Sequence, residues 1–137
     1  MLKPFTKCIG IEFLESLFNL SNEMNTYYQR HIEDIFYSNQ NLFEGFFKPN
    51  TMKFFNGDFL KEDWTDAALI LANSTCFSQE LMTKIAIKAN NECKKGCIII
   101  TFTKRLTALN SEWEFKKGFK RLMTWGIATV FIYRRNV

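Results

Sequence analysis

Three short apolar runs in this sequence each end at side chains that could do chemistry. The runs cover residues 8–11, 52–55 and 67–72, and the residues that follow them are Glu12, Asp58 with Phe59, and Asn73. In open α/β sheets ligands bind beyond the carboxyl ends of the strands, so these side chains could share one crevice. An acid at a strand-to-helix corner such as Glu12 is where nucleoside-binding α/β folds accept hydrogen bonds from ribose hydroxyls. Asp58 and Phe59 pair a hydrogen-bond acceptor with a flat ring.

Each of these residues also has a purely structural alternative. Glu12 could be a carboxylate at a helix start, where the helix macrodipole favours negative charge. Asp58 could be a turn residue, Phe59 a core ring and Asn73 the cap of a strand. The residues taken singly leave both interpretations open.

The elements that must position these residues alternate between strands and helices. Apolar residues recur near a 3.5-residue spacing after Glu12 and predict a helix of some 24 residues, with a polar loop at 38–50 after it. Ser78 can cap a second helix that Gly96 would end. Two buried strands, 67–72 and 97–102, and a hairpin pairing 115–122 with 128–133 complete the pattern. This order predicts an α/β fold, a mostly parallel sheet with a C-terminal antiparallel hairpin.

The length and hydropathy of the chain limit its class. At 137 residues it is expected to form a single domain, 1–137. No apolar run approaches the roughly 18 to 20 residues that a membrane helix needs, so no membrane partner is expected. The first residues lack the apolar core of a signal peptide, which places the protein inside the cell.

The cysteines and the charge distribution give weaker signals. Only one histidine accompanies Cys8, Cys76, Cys93 and Cys97, so the sequence predicts reduced, packed thiols, no metal site and no Ser-His or Cys-His hydrolase. The net charge is +4, with most paired cations in the second half. That half permits contact with nucleic acid, although a simply solvated basic face explains it equally well.

Five stretches together resemble a known family. They are GIEFLESL at 10–17, FFNGDFLKEDW at 54–64, LANSTCF at 71–77, KKGCIIITFTK at 94–104 and SEWEFKKGFKRLMTWGIATVFIYRR at 111–135. In one continuous register they resemble the non-SET histone lysine methyltransferases named for disruptor of telomeric silencing. The resemblance implies a Rossmann-like, seven-stranded S-adenosylmethionine-dependent methyltransferase fold, of which this chain would be a part.

The resemblance also implies roles for the strand-end residues. Glu12 would hold the ribose of S-adenosyl-L-methionine, Asp58 would accept from the adenine amino group, and Phe59 would pack on the adenine ring. Asn73 occupies the catalytic position near the methionine end of the cofactor and the lysine entry. Where the family often shows a second Asn, this chain has Ser74.

One family element is missing from this chain, the first strand with its turn of the form acidic-x-Gly-x-Gly-x-Gly. It should lie roughly twenty residues ahead of the Glu12 corner, but only 11 residues precede Glu12 and Gly10 is their one glycine. Without that strand the sheet is expected to split into two ladders, unless its flanking strands pair directly.

The resemblance implies transfer of a methyl group to a protein lysine, with histones or nucleosomes as partners in the nucleus. The alternatives are an inactive, methyltransferase-derived binding or regulatory module, and a methyltransferase acting on RNA or a small molecule.

Overall fold

A computed structural model describes residues 7–38 and 52–137 of the chain. The chain divides into two compact units, Met1–Lys61 and Glu62–Val137. The loop predicted at 38–50 lies, apart from its first residue, outside the described residues.

The first unit contains two parallel strands and a long helix. The elements are β1 (Cys8–Glu12), α1 (Glu15–Ser38) and β2 (Met52–Asn56). The register pairs Cys8 with Met52 and Glu12 with Asn56, so both strands end at the same level. The Asn25 side-chain amide donates to the Met52 carbonyl over 3.0 Å, which ties α1 to the start of β2.

Helix α1 follows the predicted period, but its apolar stripe is covered only in part. Ile32 is buried, whereas Leu14, Leu17 and Met24 are exposed, Met24 to 60%. The period therefore predicts the helix correctly without predicting what covers it.

The second unit is a four-stranded mixed sheet with one helix. Its elements are β3 (Leu69–Ala72), α2 (Gln79–Glu92), β4 (Ile98–Phe102), β5 (Trp113–Met123) and β6 (Gly126–Arg135). The strand order is β3-β4-β6-β5. The β3–β4 pairing is parallel, whereas β6 runs antiparallel to both of its neighbours. The predicted hairpin is confirmed, and its strands are longer than expected.

Helix α2 begins as predicted and ends earlier. The Ser78 hydroxyl accepts the Leu81 N–H over 3.1 Å and caps the helix. The last helical residue is Glu92, and Cys93 after it is extended, so Gly96 is not the stop. Instead Gly96, at φ +88°, lies in the turn before β4, where a positive φ favours glycine.

The sheets differ from the prediction in two respects. The described residues contain six strands, one for each predicted run, but their two parallel and two antiparallel pairings make the sheets evenly mixed rather than mostly parallel. β3 was expected to be covered on both faces, yet Leu71 is 64% exposed and Leu69 on the same face is exposed too. A continuous apolar run therefore does not require two covering layers here.

The predicted split into two ladders is confirmed. Within the described ranges, β1 pairs with β2 alone and β3 with β4 alone. β1 and β3 thus each keep one edge with no described partner.

The four cysteines are free thiols, and two of them are packed in the second unit. Cys93 and Cys97 are buried around the turn before β4. A hydrogen bond with Cys97, together with burial, raises the pKa of the Cys93 thiol. Across residues 7–38 and 52–137 no three His, Cys, Asp or Glu side chains cluster in a way that could hold a metal ion. In the same ranges no helix is both long and apolar enough to cross a membrane.

Candidate active site

The parallel pairing of β1 and β2 brings two of the predicted residues to the same rim of the first unit. Glu12 is the last residue of β1 and lies opposite Asn56, the last residue of β2. The Gly57 N–H donates to the Glu12 carbonyl over 3.0 Å, so the ladder continues one step past the strands. Asp58 is the next residue. Both carboxylates therefore stand beyond the carboxyl ends of neighbouring strands.

Both carboxylates are held in the same way. The Leu14 N–H donates to Glu12 Oε1 and the Leu60 N–H to Asp58 Oδ1, each over 2.9 Å. These bonds are the ones expected of a carboxylate at a helix start and of a turn residue, since Glu12 bonds the chain entering α1 and Asp58 closes a turn. One oxygen of each carboxylate, Oε2 and Oδ2, has no bond to any described residue. Each side chain is thus oriented by one oxygen and can accept a donor with the other.

Asn56 is a positioning residue at the end of β2. Its side-chain amide donates to the carbonyls of Glu12 and Phe13, over 3.1 and 3.2 Å. It therefore clamps the corner where β1 turns toward α1. The signal available in the sequence was its place beside the Gly-Asp pair at the end of an apolar run.

Gly10 sets the approach of β1 to β2. Phe54 lies directly opposite it, and a Cβ at position 10 would sit 2.4 Å from the Phe54 ring. Only glycine leaves space for the Phe54 ring at this position, so Gly10 allows β1 to approach β2 closely. The glycine thus contributes to the position of Glu12.

Phe59 follows Asp58 in the turn and is half-buried. Glu12, Asp58 and Phe59 all belong to the first unit, whereas Asn73 belongs to the second.

In the second unit, Asn73 directly follows β3 and is exposed. The next residue, Ser74, is fully buried. Its hydroxyl donates to the Phe102 carbonyl over 2.7 Å and accepts the Phe102 N–H over 3.0 Å. The last pair of the β3–β4 ladder is Ala72 with Thr101, so the backbone of Phe102 has no partner residue in β3. The Ser74 hydroxyl takes the place of that partner. Ser74 therefore locks the end of β3 to the end of β4.

The loop after β4 contains a strained backbone conformation at the carboxyl end of that strand. Thr103 has φ +65°, which is unusual for a β-branched residue. Its N–H bonds the Thr129 carbonyl over 2.7 Å, and its hydroxyl lies 3.2 Å from that of Thr75. Lys104 donates to the Phe77 carbonyl. The contacts of Thr75 and Phe77 with Thr103 and Lys104 thus connect the chain after β3, shortly past Asn73, to the chain after β4.

Solved structures with a similar fold are methyltransferases. An RNA methyltransferase from Salinibacter ruber, in complex with S-adenosyl-L-homocysteine, is 12% identical with a TM-score of 0.61, over 95% of this chain and 66% of that one. TrmN from Thermus thermophilus is 14% identical with a TM-score of 0.63, over 98% of this chain and 38% of that one. The N-methyltransferase NodS from Bradyrhizobium japonicum WM9 is 7% identical with a TM-score of 0.59, over 96% and 74%. This chain therefore has an α/β fold similar to part of these methyltransferases.

The family follows from the sequence itself. Residues 3–124 match the model of the family described as "Histone methylation protein DOT1", and the chain belongs to that family. The resemblance found in the five sequence stretches is thereby confirmed. No curated protein matches the chain. The chain spans 66% of the Salinibacter protein and 38% of TrmN, so it corresponds to part of their length.

Proposed function

We propose that this protein takes part in transferring a methyl group from S-adenosyl-L-methionine to a lysine side chain of a histone-type substrate. The observation that carries the proposal is the placement of Glu12 and Asp58 at the ends of two paired parallel strands, in a chain of the histone methylation family.

The two carboxylates fit the nucleoside part of the cofactor. Glu12 Oε2 offers an acceptor for the ribose hydroxyls, and Asp58 Oδ2 offers one for the adenine amino group. Each needs no rearrangement, because a backbone N–H already holds its other oxygen. Phe59, next to Asp58, supplies the ring that packs on the adenine.

The finer features of the fold belong to the same proposal. A full seven-stranded sheet needs one more strand beside β1 and beside β3, and both edges lack a described partner. Such sheets carry their ligands at the carboxyl ends of the strands, which is where Glu12, Asp58 and Asn73 stand. We assign 1–137 to a single methyltransferase domain on this basis.

The chemistry asks little of the protein beyond alignment. The bound cofactor supplies a methyl group already activated by its sulfonium. The protein must orient a lysine amine in line with that methyl group and keep water away, so that the amine loses its proton. Asn73 is the residue we assign to the methionine end and the lysine entry, since it is exposed directly after β3. No general acid or base is required.

The partners follow from the proposed substrate. A histone-type acceptor places the protein at chromatin in the nucleus. The basic second half would then meet the nucleic acid of the same particle, an arrangement favoured by charge.

Methyl transfer tests the proposal. The purified chain would be incubated with radiolabelled S-adenosyl-L-methionine and, separately, with nucleosomes, free histones and RNA, beside the Asp58→Asn variant. We expect label on a histone lysine with the parent protein and strongly reduced label with the variant. Label on RNA alone would replace lysine by a nucleic-acid acceptor. No label, together with no heat on titration with S-adenosyl-L-homocysteine, would favour the inactive binding module.

A further inference from the structure

The β5–β6 hairpin carries a concentration of uncompensated positive charge. Its residues 115–135 contain no Asp or Glu and six cations, which are Lys116, Lys117, Lys120, Arg121, Arg134 and Arg135. Two acids at the start of the hairpin are already engaged, since Glu114 of β5 pairs with Lys116, and Glu112, just before β5, pairs with Arg135. Lys117, Lys120 and Arg121 form no ion pair with any carboxylate in the described ranges. Their charge is therefore available to a partner.

Two of these cations form a row on one face of the hairpin. Lys117, Phe119 and Arg121 alternate along β5, opposite Ile132, Val130 and Ala128 of β6, so they share a face. Lys117 Nζ lies 5.4 Å and Arg121 Cζ 5.7 Å from the centre of the Phe119 ring. The ring thus orders two exposed cations whose backbone positions are about 14 Å apart.

The third cation points the other way. Lys120 lies between Phe119 and Arg121 and pairs with Thr129, which puts it on the opposite face of the hairpin. Positive charge therefore stands on both faces of a two-stranded ribbon. A groove flanked by phosphates on each side matches this distribution, whereas a flat acidic protein surface would meet one face only.

The end of the ribbon extends past β4. β4 ends at Phe102, opposite Val130, while β5 and β6 continue to Met123 and Gly126. β5 is the edge strand of its sheet. At the end of the ribbon Leu122 is 81% and Ile127 73% exposed. A two-stranded β-ribbon of this kind fits the major groove of a B-form DNA duplex.

We propose that the β5–β6 hairpin binds the phosphate backbone of a nucleic-acid duplex through Lys117, Arg121 and Lys120. The proposal specifies the surface for the nucleic-acid contact in the proposed function. It does not depend on cofactor binding.

Salt-dependent binding provides the test. Fluorescence anisotropy would follow the full chain with a labelled DNA duplex, in the absence of cofactor and over a series of salt concentrations. Each phosphate contact contributes about 0.9 to the slope of log affinity against log salt. The double variant Lys117→Gln/Arg121→Gln is therefore expected to flatten the slope by about 1.8. Lys120→Gln alone is expected to flatten it by about 0.9.

A matched control separates this surface from net charge. Lys94→Gln/Lys95→Gln makes the same change in charge at two exposed lysines in the turn before β4, and it should leave the slope unchanged. Circular dichroism would confirm that all variants fold.

Three results would overturn the proposal. One is an equal loss of slope in both double variants, which would show diffuse attraction. Another is displacement of the duplex by polyglutamate as effective as by unlabelled duplex, which would indicate an acidic protein partner. The third is tighter binding of a single strand than of a duplex. Because the binding assay contains no cofactor, a failure of duplex binding would say nothing about methyl transfer, which is tested separately.

Discussion

Replacing Ser74 by alanine should remove the hydrogen bonds that hold the end of β3 to the end of β4. The hydroxyl is fully buried and makes two hydrogen bonds, both to the backbone of Phe102. Alanine removes both bonds and leaves a backbone N–H and C=O without their partner. Each lost bond costs about 0.5 to 1.5 kcal/mol, more when the remaining group is buried, so we expect a loss of roughly 2 to 3 kcal/mol in the free energy of unfolding.

Thermal unfolding can measure this loss. For a chain of this size the expected fall in Tm is roughly 5 to 10 °C. All three tryptophans lie in the second unit, so their fluorescence reports on the part of the chain that contains Ser74.

Ser78→Ala is the matched comparison for Ser74→Ala. The chemical change is the same, but Ser78 is exposed and caps α2 with one bond to Leu81. Loss of such a cap costs about 1 kcal/mol. If Ser74→Ala destabilises the protein no more than Ser78→Ala, the two hydrogen bonds between Ser74 and Phe102 do not stabilise the ends of β3 and β4 as expected.

Three further changes test the first unit and the charge pairs. Gly10→Ala should cost about 1 to 3 kcal/mol in the free energy of unfolding, because the Phe54 ring must move; an unchanged urea midpoint would contradict it. Asn56→Ala should weaken binding of S-adenosyl-L-homocysteine several-fold by loosening the β1 corner, and unchanged calorimetric affinity would argue against the clamp. A hydrogen bond from Lys88 lowers the pKa of Glu92, so Glu92→Gln should destabilise the protein near neutral pH by about 1 kcal/mol. That difference should vanish as the pH falls through the lowered pKa, and its persistence in acid would refute the pairing.

The sequence predicted the elements well because each leaves a local pattern. The spacing of apolar residues identified α1, the Ser78 cap identified the start of α2, and two adjacent apolar-rich runs identified the hairpin. Local patterns did not predict coverage. The run at 67–72 reads as a strand buried on both faces, yet Leu71 is exposed, because coverage depends on what packs there.

The end of α2 shows a second limit. Lys94, Lys95 and Gly96 together have the composition of a helix end, but the helix stops at Glu92. Arg135, distant in sequence, donates to the carbonyls of Ala89 and Asn90 in the last turn, and such a contact leaves no local signal.

The sequence predicted where two of the candidate residues lie, but not the hydrogen bonds that hold them. The positions of Glu12 and Asp58 at one rim follow from strand ends and parallel pairing, both accessible from the sequence. The roles of Asn56 and Ser74 were not predicted, because each acts through backbone carbonyls or amides of a neighbouring strand. Hydrogen bonds of this kind depend on register rather than on composition.

The most direct measurement is a calorimetric comparison of two ligands on two proteins. S-adenosyl-L-homocysteine and its 2′,3′-dideoxy analogue would each be titrated into the parent chain and into Glu12→Gln. If one acid holds the sugar, the parent should prefer the natural ligand by roughly tenfold or more, and the variant should lose that preference while binding the analogue as the parent does. A parent that binds both ligands equally, or a variant that loses affinity for both alike, would contradict the assignment.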